Sequence, residues 1–164
     1  MGCIAVLLGA YAAVPVAQAR PRVKISFEGV GPLRWGMSLS TVERTLGVHY
    51  DCSRGAIPGV CACEQGPGAT GIAFSGEGLI ALFTNSPHAI TTRGVSVGTS
   101  IPAMRRRYPR ARLITGGLSG GLVTFYLARW HGRAIAFGVE HGRVNTIEAF
   151  AHDDRELISS ELCA

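Results

Sequence analysis

The sequence lacks an apolar segment long enough to cross a membrane. An apolar run covers residues 4–14 of the 164-residue chain, whereas a membrane-spanning helix needs roughly 20 residues. No later stretch approaches that length without a charge or a turn signal. The length also excludes a large multidomain enzyme. We therefore expect a small globular protein without a transmembrane segment.

The first nineteen residues have no charged side chain, and they end in Ala17-Gln18-Ala19. This ending matches the A-x-A cleavage pattern of a secretory signal peptide, although the usual Lys or Arg near the start is missing. We assign residues 1–19 to a signal peptide and expect a secreted or periplasmic protein that begins at Arg20. The alternative is a buried first helix or strand.

Lysine is almost absent, because fifteen arginines stand against the single Lys24, and the formal net charge is +5. A positive surface favours acidic partners such as an anionic polysaccharide, phospholipid headgroups or an acidic protein. Nucleic acid is a poor partner for an exported chain. The basic residues also lack the interleaved aromatic residues that single-strand-binding proteins use.

Four cysteines remain after cleavage, namely Cys52, Cys61, Cys63 and Cys163. An even number in a small exported chain indicates two disulfides. A bond between Cys61 and Cys63 would be strained, because residues two apart on a strand have diverging side chains. We expect one of these two to bond Cys52 and the other to bond Cys163, which leaves two pairings open. The competing interpretation is a thiol redox or metal site at Cys61-Ala62-Cys63.

Residues 33–39 and 95–101 share one pattern at an offset of 62 residues: apolar, polar, apolar, Gly, any residue, Ser, apolar. A short helical pattern follows each copy, and Ser38 and Ser100 are well placed to cap these helices. The chain therefore divides into two predicted repeats, residues 20–93 and 94–164, which together form one compact domain.

Strand patterns follow each predicted helix, over 48–52, 70–74 and 79–84 in the first repeat and over 112–115, 122–129, 134–139 and 144–150 in the second. Turns containing glycine separate most of them. Residues 53–69, rich in Gly and Pro, are interpreted as a disulfide-stapled loop. Strands joined by hairpins after each helix predict an α+β fold, with antiparallel strands and the helices packed on one face of the sheet.

Two motifs and one residue pair carry a resemblance to known proteins. The motifs cover residues 29–38 and 92–100, and the pair is Tyr108-Pro109. Together they resemble a class of bacterial secreted proteins over most of the mature chain. More distantly, a Gly-x-Ser or Gly-x-Thr turn that opens a helix on antiparallel strands is similar to the repeat of β-lactamase inhibitory proteins and of the SmpA/BamE outer-membrane assembly lipoproteins. This resemblance implies a binding or scaffold module without catalysis and without a cofactor.

The densest charge cluster surrounds the end of the second predicted helix and consists of Arg105, Arg106, Arg107, Arg110 and Arg112. Part of it has a structural explanation, since the helix dipole favours cations near a helix C-terminus. As a binding site, the cluster would make forked hydrogen bonds to carboxylate or phosphate. Trp130 begins a hairpin turn and is a further candidate contact, because exposed Trp and Arg are typical interface anchors. Trp35 is expected in the core.

Catalytic motifs are weak. Residues 117–121 match the G-x-S-x-G pattern around Ser119, but a strand pattern follows where a nucleophile elbow needs a helix. A metal site from His131 and His141 would need neighbouring hairpins to bring them together, so we predict no metal.

We predict a non-catalytic exported binding module for a protein or an anionic envelope component. The first alternative is a secreted enzyme inhibitor that uses the stapled segment 52–63. The less favoured alternatives are an envelope hydrolase at Ser119 and a thiol redox protein.

Overall fold

The computed structural model describes residues 23–50, 52–54, 60–65, 70–118 and 121–153. This part of the chain forms two helices, α1 (Leu39–Leu46) and α2 (Ile101–Arg107), and twelve strands. The strands are β1 (Val23–Ser26), β2 (Gly29–Val30), β3 (Leu33–Arg34), β4 (Cys52–Arg54), β5 (Cys61–Gln65), β6 (Thr70–Ser75), β7 (Gly78–Thr84), β8 (Ala89–Thr91), β9 (Arg112–Leu118), β10 (Gly121–Trp130), β11 (Arg133–Glu140) and β12 (Arg143–Phe150). Neither helix is long and apolar enough to span a bilayer, a finding limited to these described residues. The predicted signal peptide, residues 1–19, lies outside them.

The strands form two sheets. The smaller has the order β3-β2-β1-β8 and includes one parallel pair, β1 with β8. The larger has the order β4-β5-β6-β7-β12-β11-β10-β9, and all of its pairs are antiparallel. The pairing of β7 with β12 joins strands from before and after residue 94 in one sheet.

The prediction of an α+β fold built from two helix-plus-strand repeats is wrong. Most of the described chain is sheet, and each helix buries a single side chain, Val42 in α1 and Met104 in α2. The repeated motif does encode a local turn and helix, because Gly36 and Gly98 both have positive φ and the helices begin at the predicted residues. The similarity of the two halves ends with this turn and helix. The motif does not determine how the strands that follow it pair with distant strands.

The two helices are fixed at their N-termini in different ways. The Ser38 side chain accepts a hydrogen bond from the Thr41 amide at 3.3 Å, as predicted for a cap. The Ser100 side chain makes no capping hydrogen bond. Instead, the Ile101 amide donates to the Gly142 carbonyl at 3.1 Å. The turn between β11 and β12 therefore fixes the start of α2.

The strands predicted over 70–74 and 79–84 and those of the second half are present at nearly the predicted bounds, whereas the chain before residue 70 differs from the prediction. Two hairpins turn at His131-Gly132 and at His141-Gly142, where both residues of each pair have positive φ. This is the geometry of a two-residue type I′ turn. In the first half, the expected strand over 48–52 is largely absent, and the expected loop over 53–69 contains β5 and most of β4. The glycines and prolines of this segment suggested a loop, although the segment contributes to a pair of strands.

The core has two hydrophobic clusters. Alternation along β11 separates them, since Ile135 and Phe137 belong to one and Ala134 and Ala136 to the other. Trp35 is only partly buried and packs against both clusters, and its indole N–H donates to the Phe27 carbonyl at 2.7 Å. This bond anchors the turn after β1, and Phe27 in that turn lines a groove together with Tyr108 at the end of α2.

Candidate functional site

The predicted arginine cluster forms an exposed surface around the end of α2. We call Arg105, Arg106, Arg107, Arg110 and Arg112 the arginine patch, and all five residues are exposed. Because α2 buries Met104, the arginines that follow occupy the remaining, solvent-facing part of the helix. Four ion pairs occur in the described residues, and none of them includes a residue of the patch.

One member of the patch acts within the fold, and one arginine outside the predicted set joins the same region. The Arg107 guanidinium donates to the Gly94 carbonyl. In return, the Arg93 guanidinium donates to the Arg107 carbonyl at 3.2 Å. Arg93 also lies over the Tyr108 ring, 5.2 Å from its centroid, in a cation–π contact. These contacts tie the turn at residues 92–94 to the end of α2.

A groove of about 280 Å³ lies beside the patch. Its lining includes three arginines, Arg93, Arg110 and Arg129, and three aromatic residues, Phe27, Tyr108 and Trp130. We call it the arginine–aromatic groove. It brings together two predicted contact residues, Arg110 and Trp130, whereas Arg105, Arg106, Arg107 and Arg112 do not line it.

Trp130 forms an exposed wall of this groove, with 48% of its surface accessible. The ring meets the His131 imidazole edge-on, with ring centroids 4.5 Å apart. Because Trp130 ends β10 and His131 begins a type I′ turn, its backbone position is fixed by the hairpin. The hairpin therefore presents a large aromatic side chain at the surface, in contact with the His131 ring.

Arg129 is the one groove arginine with a carboxylate partner among the described residues. Its Nε lies 3.6 Å from the Asp153 carboxylate, and both side chains are partly exposed. A pair of this kind contributes at most about 1 kcal/mol to stability. Its effect on the groove is to orient the guanidinium, and the groove lining keeps a positive charge.

Tyr108 lies under the groove. It is 3% exposed, and its ring packs on Phe137 with centroids 4.9 Å apart. Its buried hydroxyl makes no hydrogen bond within the described part of the chain. Burial raises the pKa of Tyr108 above its usual value, against smaller lowering effects from Thr91 and Arg93. The phenol therefore stays neutral and serves as an apolar base for the groove.

The sequence could not reveal the whole groove. Arg93, Arg129 and Phe27 lie in three segments distant in the chain, and none belongs to the predicted arginine cluster. Arg93 falls within the motif at residues 92–100, but that motif indicated a turn and a helix and not a contact residue. Only the fold brings them beside Arg110 and Trp130. A second, more open groove of about 380 Å³ lies on the other side of Pro109 and is lined by Arg105 and Arg106.

One of the two expected disulfides lies within the described chain. Cys52 and Cys63 occupy directly opposite positions on β4 and β5 and are bonded, with their Cα atoms 4.3 Å apart. Cys61 is exposed and has no bonded cysteine among the described residues, and Cys163 lies outside them. The bond between Cys61 and Cys163 stays a prediction. A redox pair of Cys61 with Cys63 is not supported, because Cys63 is bonded to Cys52.

The geometry of the described residues does not support a nucleophile at Ser119 or a metal site at His131 and His141. Residues 117–121 join β9 to β10, which are antiparallel strands, and a nucleophile elbow must lead from a strand into a helix. Ser119 itself lies outside the described residues. His131 and His141 stand at opposite ends of β11, roughly 25 Å apart at the rise of a strand. Within the described chain, no three His, Cys, Asp or Glu side chains are placed to hold a metal.

No family model and no curated protein matches this sequence. The solved structures that share its fold include the following two. An extracellular protein containing an SCP domain from Bacillus anthracis has a TM-score of 0.58 and 8% identity, over 79% of this chain and 47% of its own. A cysteine-rich secretory protein from Staphylococcus aureus has a TM-score of 0.51 and 8% identity, over 76% of this chain and 46% of its own.

The chain thus spans about half the length of the structures it matches. At 8% identity the likeness shows the fold alone. It also overturns the resemblance drawn from sequence, because these neighbours are SCP-domain secretory proteins and not β-lactamase inhibitory proteins or SmpA/BamE modules. The motifs that suggested those families describe one turn and one helix, and such a unit recurs in unrelated folds.

Proposed function

We propose that this chain is an exported, non-catalytic binding module that docks on an acidic protein or an anionic envelope component through the arginine patch. One observation carries the proposal: all five patch arginines are exposed, and none has a carboxylate partner among the described residues. Arg pairs readily with carboxylate and phosphate in a forked geometry. A cationic surface without acidic neighbours attracts a partner of opposite charge.

The structural explanation for the patch covers only part of it. The helix dipole favours cations in the last turn, which accounts for Arg105, Arg106 and Arg107. The effect falls off beyond that turn. Arg110 and Arg112 follow the helix, and Arg93 and Arg129 come from other segments. Charge therefore accumulates here beyond what α2 needs.

Three observations support export. The first nineteen residues match a signal peptide. The bond between Cys52 and Cys63 is typical of oxidising compartments. The two structures that share the fold are described as extracellular and as secretory. A periplasmic location has no support of its own beyond the first two.

The charge proposal is tested by charge reversal with a matched control. We expect R105E/R106E to lose retention on immobilised poly-L-glutamate at about 0.15 M salt, where the screening length is about 8 Å. The control K24E/R44E removes the same charge from two other exposed positions and should keep most of the retention. Equal loss in both variants would show that net charge alone, and not the patch, drives binding.

The inhibitor alternative has one supporting feature, the disulfide that clamps β4 to β5. A clamped hairpin is a suitable rigid element for insertion into an enzyme cleft. Its tip, residues 55–59, lies outside the described residues. Inhibition of a target that survives R105E/R106E but is lost on replacing residues 55–59 with Gly and Ser would favour this alternative.

A further inference from the structure

We propose that the arginine–aromatic groove binds an acidic segment of a partner protein, with an apolar side chain of that segment packed on Trp130 and its flanking carboxylates paired with Arg93, Arg110 and Arg129. This inference rests on the proposed function and makes it specific, since it names the partner class and the contact site. The remaining patch arginines then attract the partner without making its central contact.

The charges of the groove favour a ligand with more than one carboxylate. Among the described residues, its lining contains three guanidinium groups and no Asp or Glu. Arg129 shares the nearby Asp153, whereas Arg93 and Arg110 have no carboxylate partner in the described chain. The guanidiniums of Arg93 and Arg110 can thus pair with a ligand carboxylate. Arg129 can do so if it gives up its weak, exposed ion pair with Asp153.

The groove is also preorganised. Arg93 is held by its hydrogen bond to the Arg107 carbonyl and by its contact with the Tyr108 ring. Arg129 is oriented by Asp153, and Trp130 by the adjoining hairpin turn. Side chains that are already ordered lose less conformational entropy on binding, so a given set of contacts yields more affinity.

The size and the walls of the groove favour one side chain of a larger partner. A volume of about 280 Å³ lies below the usual range for drug-sized ligands. Half-exposed Trp130, with Phe27 and buried Tyr108, supplies apolar surface that a purely ionic ligand would leave unused. Interface anchors are enriched in Trp, Tyr and Arg, and this groove presents all three.

The adjoining sheet edge favours a protein over a lipid or a polysaccharide. Strand β9 begins two residues after Arg110 and pairs with β10 alone among the described strands. Its outer edge has no partner strand within the described residues, and such an edge can accept an added strand. Only a polypeptide can hydrogen-bond to such an edge, and peptides do so by strand addition.

The test uses the peptide acetyl-Asp-Glu-Phe-Asp-Glu-amide and the full-length protein labelled with nitrogen-15. The chain has two tryptophans, so two indole N–H signals are expected, and W130F identifies one of them. We expect the peptide to shift the Trp130 indole signal and the amides of β9. The variants W130A and R110E should each weaken binding about tenfold or more. The control R105E reverses an equally exposed charge in the second groove and should weaken binding less than threefold.

Two control peptides separate the apolar contribution from the charge contribution. One has Gly in place of Phe, and the other has Asn and Gln in place of Asp and Glu. Both should bind at least tenfold more weakly than the original peptide. Unchanged amide signals outside the groove would show that the variants fold. If R105E and R110E weaken binding equally and the Gly peptide binds as well as the Phe peptide, the groove is overturned while patch-driven docking survives. Vesicles of phosphatidylglycerol that shift the Trp130 signal where the peptide does not would overturn the protein partner. If neither the peptides nor poly-L-glutamate bind, both proposals fail.

Discussion

Removing the disulfide between Cys52 and Cys63 in the variant C52A/C63A should destabilise the protein by about 3 kcal/mol. The two cysteines are 11 residues apart, and closing a loop of that size in the unfolded chain contributes about this much in the chain-entropy model. For a chain of this length, the melting temperature should fall by roughly 6–12 °C. The assay is urea denaturation of the oxidised wild type and of the variant, followed by circular dichroism.

The size of the effect depends on whether the stapled hairpin unfolds with the rest of the sheet. Strand β4 lies at the end of the larger sheet, is three residues long and pairs with β5. A loss below about 1 kcal/mol would refute the reasoning, because it would mean that β4 and β5 open separately before global unfolding. The variant C61A is the internal comparison. It should cost about 4–5 kcal/mol if Cys61 bonds Cys163 across roughly 100 residues, and nearly nothing if the exposed thiol is free.

Four further substitutions test local features by urea denaturation. S38A should cost about 1 kcal/mol and S100A much less, since only Ser38 makes a capping hydrogen bond; equal costs would contradict this. G78A should cost more than about 2 kcal/mol, because a Cβ there would overlap the backbone at residues 36–37 and φ is 95°; a neutral result would contradict the close approach. Y108F should be neutral or stabilising at pH 7, because the buried hydroxyl has no hydrogen-bond partner in the described chain. The raised pKa of Tyr108 predicts that the wild type loses stability as pH rises above about 10, and that Y108F removes part of this loss.

Features set by neighbouring residues could be predicted from the sequence. The two helices begin where Ser38 and Ser100 indicate, and the His-Gly pairs turn the hairpins of the second half. For α1 and for the hairpin turns, the chemistry that fixes the backbone lies within four residues, so the local pattern contains it. The start of α2 was predicted at the right residue although the distant Gly142 carbonyl, and not the Ser100 side chain, holds it. The strand boundaries after residue 112 follow for the same reason, because alternation and turns agree there.

Features set by distant residues could not be predicted. The α+β prediction was wrong because it inferred strand pairing from the similarity of two short motifs. Strand pairing depends on residues far away in the chain, which those motifs do not include. The prediction for the segment around β5 was wrong because its Gly and Pro residues suggested a loop. In the structure, a partner strand on each side holds β5 in the sheet. The groove combines predicted and unpredicted residues. The sequence indicated Arg110 and Trp130 as contact residues, whereas Arg93 and Arg129 join them only when the chain is folded.

The position of β12 has a consequence for the order in which the molecule can fold. This strand is the last one in the described chain, yet it lies inside the larger sheet between β7 and β11. Until residues 143–150 are available, β4 to β7 on one side and β9 to β11 on the other have no strand in common. Pairings between such distant residues raise the contact order and place folding in the range of milliseconds to seconds. Once β9 to β11 have been made, a growing chain therefore carries two unjoined groups of strands, and the sheet closes only when its last described strand is complete.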